Sequence, residues 1–304
     1  MDPFKVHILG CGCALPTMRH YASSQVVELR EKQFMVDCGE GTQVQLRRSK
    51  IRFTKLGAVF ISHIHGDHCF GLIGMISTFN MLGRTAPLAV YAPAELKPVL
   101  DSLIDTFCGK LDFDVVFHAV DTTQNKVVYE DRSLTVESIP LKHRLPCSGF
   151  LFREKPILPH IRRDMIDFYH IPVSQINNIK NGADWVDEDG RVVPNSRLVR
   201  PVEKPRSYAY CSDTQYLPRL HELISGVSTL YHESTYLSQD EARAKMYFHS
   251  TAAQAARVAS DANVGKLVLG HYSAKYDDES LLLKEAAEIF PNTLLSNEGM
   301  VIDV

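Results

Sequence analysis

The stretch Ser62-His63-Ile64-His65-Gly66-Asp67-His68 constrains this chain more than any other. Four metal-capable side chains fall within six positions, the first two at i and i+2 and an Asp-His pair directly after. Residues at i and i+2 share a side in an extended segment and diverge on a helix, so such a pair grips one ion only from extended backbone. The apolar run Gly57 to Ile61 ahead of it reads as a buried strand, and Phe70 to Leu82 behind it reads as a helix. The spacing therefore predicts ligands on a strand-to-helix loop, and this clustering of His and Asp is what a metal site needs.

A chain of 304 residues, 45% hydrophobic and 23% charged, can bury a sizeable core. Lys+Arg 33 against Asp+Glu 36 gives a net charge of −3, which excludes a non-specific polyanion binder. Any nucleic-acid contact has to come from a local patch or from bound metal. No apolar run approaches membrane-spanning length, and Met1-Asp2-Pro3-Phe4-Lys5 lacks the basic-then-apolar layout of a signal peptide, so a soluble cytoplasmic protein without a membrane partner is expected. Seven cysteines, an odd number at irregular spacings, make no disulfide framework. Cys11, Cys13, Cys38, Cys69, Cys108, Cys147 and Cys211 read as thiols filling small spaces.

Short β-rich runs at Phe4 to Gly10, Ser24 to Leu29 and Gln33 to Asp37 open the chain as an expected meander. The third leads into Asp37-Cys38-Gly39-Glu40-Gly41-Thr42, a turn that either places Asp37 beneath a cation site, holding a ligand histidine by its second nitrogen, or caps the helix Gln43 to Arg48. After the metal loop, strands are expected at Leu88 to Ala92, Asp114 to Val120, Val127 to Glu130 and Leu134 to Pro140, with a helix over Ala94 to Thr106. Alternating strands and helices with hairpin-like runs between them indicate a mixed sheet layered with helices. From 154 to 205 the texture changes to repeated prolines, few long apolar runs and a hairpin at Asp187-Glu188-Asp189-Gly190. This segment reads as an insertion that projects from one domain spanning 1–304; its eight Lys/Arg balance eight Asp/Glu. Strands resume at Ser207 to Cys211, Thr229 to His232 and Lys266 to Gly270, and Ser250 or Thr251 caps an alanine-rich helix, Ala252 to Ala262.

The recurring grammar is a strand that ends in a ligand-type residue. His63 and His65, His143, Asp213 and His271 each lie just past an expected strand, so one sheet edge is expected to collect them. With Asp67 and His68 they make seven candidate donors, more than one tetrahedral zinc uses, and they suit two ions bridged by one carboxylate. Two divalent cations bring about four positive charges against only Asp67 and Asp213, and the residual charge favours a phosphodiester substrate.

His63-Ile64-His65-Gly66-Asp67-His68 resembles the signature of the metallo-β-lactamase fold, which implies an αββα sandwich of two mixed sheets flanked by helices with a dinuclear zinc site on one edge. Asp37-Cys38-Gly39-Glu40-Gly41-Thr42-Gln43, His232-Glu233-Ser234-Thr235, His249-Ser250-Thr251 and His271-Tyr272-Ser273 with Tyr276 resemble, more narrowly, ribonuclease Z of the short type. That resemblance implies cleavage of precursor tRNA 3′ of the discriminator base, removing the trailer and leaving a 3′-hydroxyl and a 5′-phosphate. It implies two zinc ions per subunit, one on His63, His65 and His143, the other on Asp67, His68 and His271, with Asp213 bridging; histidine and carboxylate donors also suit manganese or iron. Asp67 would orient or deprotonate the attacking water, and His249, supported by Glu233, would help protonate the leaving oxygen. The insertion at 154–205 takes the place of the family's tRNA-gripping arm, which reaches across a homodimer.

The chain departs from the family in the loop Pro16-Thr17-Met18-Arg19-His20-Tyr21, at Pro172-Val173-Ser174 where the family arm has Gly-Pro, and in the arm's zero charge sum. Arg19 and Lys275 are candidate phosphate contacts, and Asp37 and His232 candidate supports of the centre. Tyr272 and Tyr276 either stack on a base or pack. His7, His118, His160, His170 and His221 stand apart from other donor types and read as structural or solvated. Two alternatives remain from the residues alone. One is a small-molecule phosphodiesterase or arylsulfatase-like hydrolase on the same site, which would find the insertion superfluous; the other is a zinc-retaining binding protein, against which Glu233 and His249 argue.

Overall fold

A computed structural model describes residues 3–187, 189–201 and 204–304. Met1 and Asp2 of the leading segment, Glu188 of the expected hairpin turn and Glu203 of the insertion's charge count lie outside them. In chain order the strands are β1 Phe4–Gly10, β2 Ser24–Leu29, β3 Lys32–Cys38, β4 Leu56–Phe60, β5 Leu88–Ala92, β6 Val115–Ala119, β7 Val127–Glu130, β8 Leu134–Leu141, β9 Cys147–Glu154, β10 Trp185–Val186, β11 Val192–Val193, β12 Ser207–Cys211, β13 Thr229–Glu233, β14 Lys266–Gly270, β15 Thr293–Leu295 and β16 Val301–Asp303. One seven-stranded sheet runs β16-β1-β2-β3-β4-β5-β6 and the other β15-β14-β13-β12-β9-β8-β7. Both are mixed: β1, β2 and β3 pair antiparallel while β3 to β6 are parallel, and β12 to β15 are parallel while β9 meets β12 antiparallel.

Strand periodicity divides the first sheet between two cores. Phe34, Val36, Ala58 and Phe60 face a core shared with Val136, Phe150, Phe152, Tyr208 and Tyr210 of the second sheet, whereas Met35 and Val59 face a core with Leu72, Met75 and Ile76 of helix Gly71–Met81. Between the sheets, Phe60 meets Phe150 edge-on at 5.2 Å and Phe34 lies 6.0 Å from Phe152. Such aromatic pairs add about 0.5–1.5 kcal/mol each beyond their buried area.

Strand β9 was not expected from the sequence. Its first six residues are all buried, so it shows no alternation, and Gly149 interrupts its apolar run. That glycine answers to the neighbouring strand, because a Cβ there would stand 2.4 Å from the Tyr210 carbonyl oxygen. The expected helix Phe70 to Leu82 is found as Gly71–Met81, and a separate helical turn, Gly66–Cys69, precedes it within the expected metal loop. Helix Ala252–Asp261 has Thr251 rather than Ser250 as its cap, in a reciprocal box with Gln254 worth about 1 kcal/mol.

Residues up to Arg153 together with Arg206–Val304 form one compact unit, and Glu154–Pro205 form a second. Within the second, helices Arg163–Phe168, Val173–Lys180 and Asn195–Leu198 and the β10/β11 hairpin enclose a small core of Ile171, Ile179, Val193 and Leu198. Among the described residues no helix is long and apolar enough to cross a membrane.

Candidate metal centre and its cleft

The donors come from the ends of both sheets, not from one sheet edge as the sequence suggested. β3 and β4 are parallel neighbours, so Asp37 and the His63 loop emerge together. β12, β13 and β14 are parallel neighbours of the other sheet, so Asp213, Glu233 and His271 emerge together, and His143 follows β8. At three of these strand ends the backbone turns left-handed: φ is 55° at Asp37, 58° at Asp213 and 59° at His271. Non-glycine residues in such conformations cost about 1–3 kcal/mol each and persist only where packing over-determines them.

All seven candidate donors converge. His63, His65, His143 and Asp213 form one group and Asp67, His68 and His271 another, each with its donor atoms within 4.8 Å of one another. His65 turns Nδ1 inward, 2.9 Å from His63 Nε2 and 3.2 Å from His143 Nε2. Asp213 divides its oxygens between the groups. Oδ2 lies 3.7 Å from both His63 Nε2 and His143 Nε2, while Oδ1 lies 3.2 Å from His68 Nε2 and 3.0 Å from His271 Nε2. Asp67 Oδ2 completes the second group at 3.3 Å from His68 Nε2 and 3.5 Å from His271 Nε2. Donors about 2.0–2.1 Å from a tetrahedral ion stand about 3.3 Å apart, so these are separations that coordination would produce.

The donor chemistry agrees. Buried Nε2 atoms of His68 and His271 have no hydrogen-bond partner among the described residues. An unmade hydrogen bond at a buried nitrogen costs about 1–3 kcal/mol, and a cation would satisfy both nitrogens at once. Burial holds the His63, His65 and His143 imidazoles below their ordinary pKa, in the neutral form that binds metal. For His68 and His271 burial is again the largest single influence and acts in the same sense, but the acidic neighbours together reverse it and raise both: Asp213, Asp67 and Asp37 around His68, and Asp213, Asp67 and Glu233 around His271. Burial would raise Asp67, yet His68 and His271 hold its carboxylate well below the usual range.

Four of the five inward rings are oriented from behind. Nδ1–H of His68 donates to Asp37 Oδ2 at 2.7 Å, that of His63 to Ser62 Oγ at 3.0 Å, that of His143 to the Phe248 carbonyl at 3.1 Å and that of His271 to Thr235 Oγ1 at 3.0 Å. Asp37 itself accepts from Ser62 N, Ser62 Oγ and Tyr210 Oη at 2.7, 2.9 and 2.7 Å, whereas helix Thr42–Arg48 has no side-chain cap. The roles of Ser62, Tyr210, Thr235 and Phe248 were not expected here, although Ser62 opens the histidine stretch and Thr235 closes the His232-Glu233-Ser234-Thr235 motif.

Beside Asp213 and His271 stands His249. Its Nδ1–H donates to Glu233 Oε1 at 2.9 Å, and the wholly buried Glu233 also accepts from Thr214 N, Thr235 Oγ1 and Ser250 N at 2.6, 2.5 and 3.1 Å. Burial lowers the His249 pKa, but the charge and hydrogen bond of Glu233, joined by the Asp213 charge, reverse this and leave it raised. His232 stays out of the cluster, buried with Nδ1–H on the Glu233 carbonyl at 2.8 Å and Nε2 unpartnered among the described residues. Arg19 is bound to the Tyr276 and Asp277 carbonyls and to Glu279, and Lys275 to Asp240. Tyr272 and Tyr276 pack: their hydroxyls donate to the Leu269 carbonyl at 2.7 Å and to Asp240 Oδ2.

The centre opens into a cleft of about 1190 Å³. Arg144 and Arg243 line its wall with Glu40 and the Asp240-paired Lys275, and Phe70 and Tyr247 are aromatic residues on it. Phe70 is 70% exposed, an aromatic face left to solvent beside the donors.

Comparison with known proteins places this geometry. The family model described as Anti-Pycsar protein Apyc1 matches residues 4–160, which hold His63 to His143 but neither Asp213, Glu233, His249 nor His271. Over the full length, the curated ribonuclease Z of Phocaeicola vulgatus is 58% identical across 304 residues, all of this chain and 98% of the relative. That of Bacteroides fragilis is 57% identical, with both chains covered completely. Among solved structures, human tRNase Z, short form, superposes with a TM-score of 0.72 at 23% identity over 99% of each chain. The metallo-beta-lactamase fold protein YhfI of Bacillus subtilis superposes with a TM-score of 0.70 at 19% identity over 100% of each.

Proposed function

The chain belongs to the ribonuclease Z family, with an Apyc1-type domain over residues 4–160, and on that premise we propose that it cuts precursor tRNA 3′ of the discriminator base, leaving a 3′-hydroxyl and a 5′-phosphate. It is a metal-dependent phosphodiester hydrolase of the metallo-β-lactamase fold. The observation that carries the substrate reading is the Glu233–His249 pair standing against the donor cluster. A ribose 3′-oxygen is a poor leaving group that needs a proton, and a carboxylate-held imidazole at that place can give one.

His63, His65 and His143 would hold one zinc ion, Asp67, His68 and His271 the other, with Asp213 between them. When bound, the two ions supply Lewis-acid polarisation of the phosphate and activation of water. Asp67 accepts the proton of the attacking water, and His249 Nε2 passes a proton to the departing 3′-oxygen while Glu233 stabilises the imidazolium. Arg144 and Arg243 meet phosphates, and the aromatic wall meets bases. The unit Glu154–Pro205 grips the body of the tRNA, and the protein acts as a cytoplasmic homodimer, whose mass sedimentation of the purified chain would test.

The direct experiment is cleavage of a 3′-extended precursor tRNA by the zinc-loaded protein with both ends mapped, and a cyclic nucleotide and a nitrophenyl phosphodiester run in parallel. One cut after the discriminator base supports the reading. Turnover of the small diesters alone moves the substrate to a small-molecule phosphodiester.

A further inference from the structure

Away from the seven donors, Cys11, His20 and Glu298 each turn an atom toward a common point, and Cys11 is fully buried. Cys11 Sγ lies 3.3 Å from His20 Nδ1 and 3.7 Å from Glu298 Oε1, and His20 Nδ1 lies 3.0 Å from Glu298 Oε2. Zinc bonds of about 2.0–2.3 Å to oxygen, nitrogen and sulfur put tetrahedral donors about 3.3–3.6 Å apart. The separations have the size of polyhedron edges, with the Glu298 carboxylate turning Oε1 to the sulfur and Oε2 to the ring nitrogen.

The rest of the pocket is arranged to match. His20 Nε2 lies 3.3 Å from Glu279 Oε1, the carboxylate–histidine contact that fixes a tautomer and turns the other nitrogen's lone pair to a metal. Tyr21 N–H donates to Glu298 Oε1 at 2.8 Å and orients that carboxylate, and the Ser296 carbonyl, 3.7 Å from Cys11 Sγ, offers a fourth donor. Without an ion, His20 Nδ1 meets Glu298 Oε2 and the Cys11 thiol meets the Ser296 carbonyl, so the case for a metal is the donor set and its spacing.

We propose that Cys11, His20 and Glu298 bind a third divalent ion of thiophilic character, zinc by donor class, as a structural clamp. The clamp ties the loop after β1 to the segment before β16, and Leu15, Pro16 and Thr17 of that loop wall the cleft. On binding, the Cys11 thiol gives its proton to solvent, and His20, which burial would keep neutral but Glu298 and Glu279 hold toward its protonated form, releases its Nδ1 proton and donates that lone pair. Burial and Glu298 push the free thiol's pKa up, so affinity rises with pH.

Cobalt(II) reconstitution of the full chain tests this without reference to activity. The seven donors of the main centre are nitrogen and oxygen, so thiolate-to-cobalt charge-transfer absorption in the near ultraviolet reports a cysteine ligand outside that set, and Cys11→Ser identifies which one. The expected result is that band in the wild type, with more than two cobalt ions bound per chain. Cys11→Ser should lose the band and His20→Ala should weaken it, while the visible bands of the main centre stay. A wild-type spectrum without the band overturns the proposal and needs no variant to fold. So does a band that survives Cys11→Ser and disappears in Cys69→Ser, which would assign the sulfur to the thiol beside His68.

Discussion

Glu233 and His249, 16 residues apart in sequence, are joined by a 2.9 Å hydrogen bond from Nδ1–H to Oε1, which leaves His249 Nε2 to the cleft. The carboxylate raises the imidazole pKa against the opposing effect of burial, so the protonated form persists to higher pH than in an ordinary histidine. A general acid of this kind works below its pKa and is lost as pH rises through it. Glu233→Gln should therefore move the alkaline fall of kcat for precursor tRNA to lower pH. A profile that stays in place would remove Glu233 from this role.

His249→Ala should cost about 10²- to 10⁴-fold in kcat on precursor tRNA, the range of a lost general acid. A nitrophenyl phosphodiester releases a stable phenolate and needs no proton, so its rate should fall far less. Equal losses on the two substrates would assign His249 to metal or phosphate binding instead.

Asp67→Ala should abolish cleavage while leaving circular dichroism near that of the wild type. The two hydrophobic cores are extensive and do not depend on metal as a zinc finger does. A metal-verified Asp67→Ala sample that cuts at the wild-type rate would sink the mechanism.

Asp37→Asn tests the support of His68. Asparagine tolerates the left-handed backbone at this position, so the turn can form, but one acceptor oxygen becomes a donor. Zinc affinity, measured by competition with a chromophoric chelator, should fall about 10- to 100-fold. Unchanged affinity would make Asp37 a fold residue only.

Removal of the inserted unit is structurally simple, because Arg153 and Ser207 are cross-strand partners and a short turn can join their strands. Replacing 155–205 in this way should raise KM for precursor tRNA much more than KM for a nitrophenyl phosphodiester. A parallel rise in both would show that the unit serves the fold and not the substrate.

Much of the site was legible because its signals are local. The i, i+2 histidines with an adjacent Asp-His pair, and donors just past apolar runs, need only a few residues to be recognised. Gly149 hid β9 for the opposite, non-local reason, since the contact with the Tyr210 carbonyl that requires a glycine lies on another strand. Cys11 and His20 gave no sign of meeting Glu298, which is 278 positions beyond His20.

By itself the sequence determined the donor types, the strand periodicity that divides the first sheet between two cores, and the order in which strand ends deliver His63, His143, Asp213 and His271. Tertiary structure decided that the donors gather from two sheets, that His65 presents Nδ1, that Asp213 shares its oxygens between two groups and that Glu233 reaches His249. The physical reason is that side-chain direction at a strand end follows the local φ. At Asp37, Asp213 and His271 that angle is positive, a conformation no local preference selects and only the surrounding packing holds.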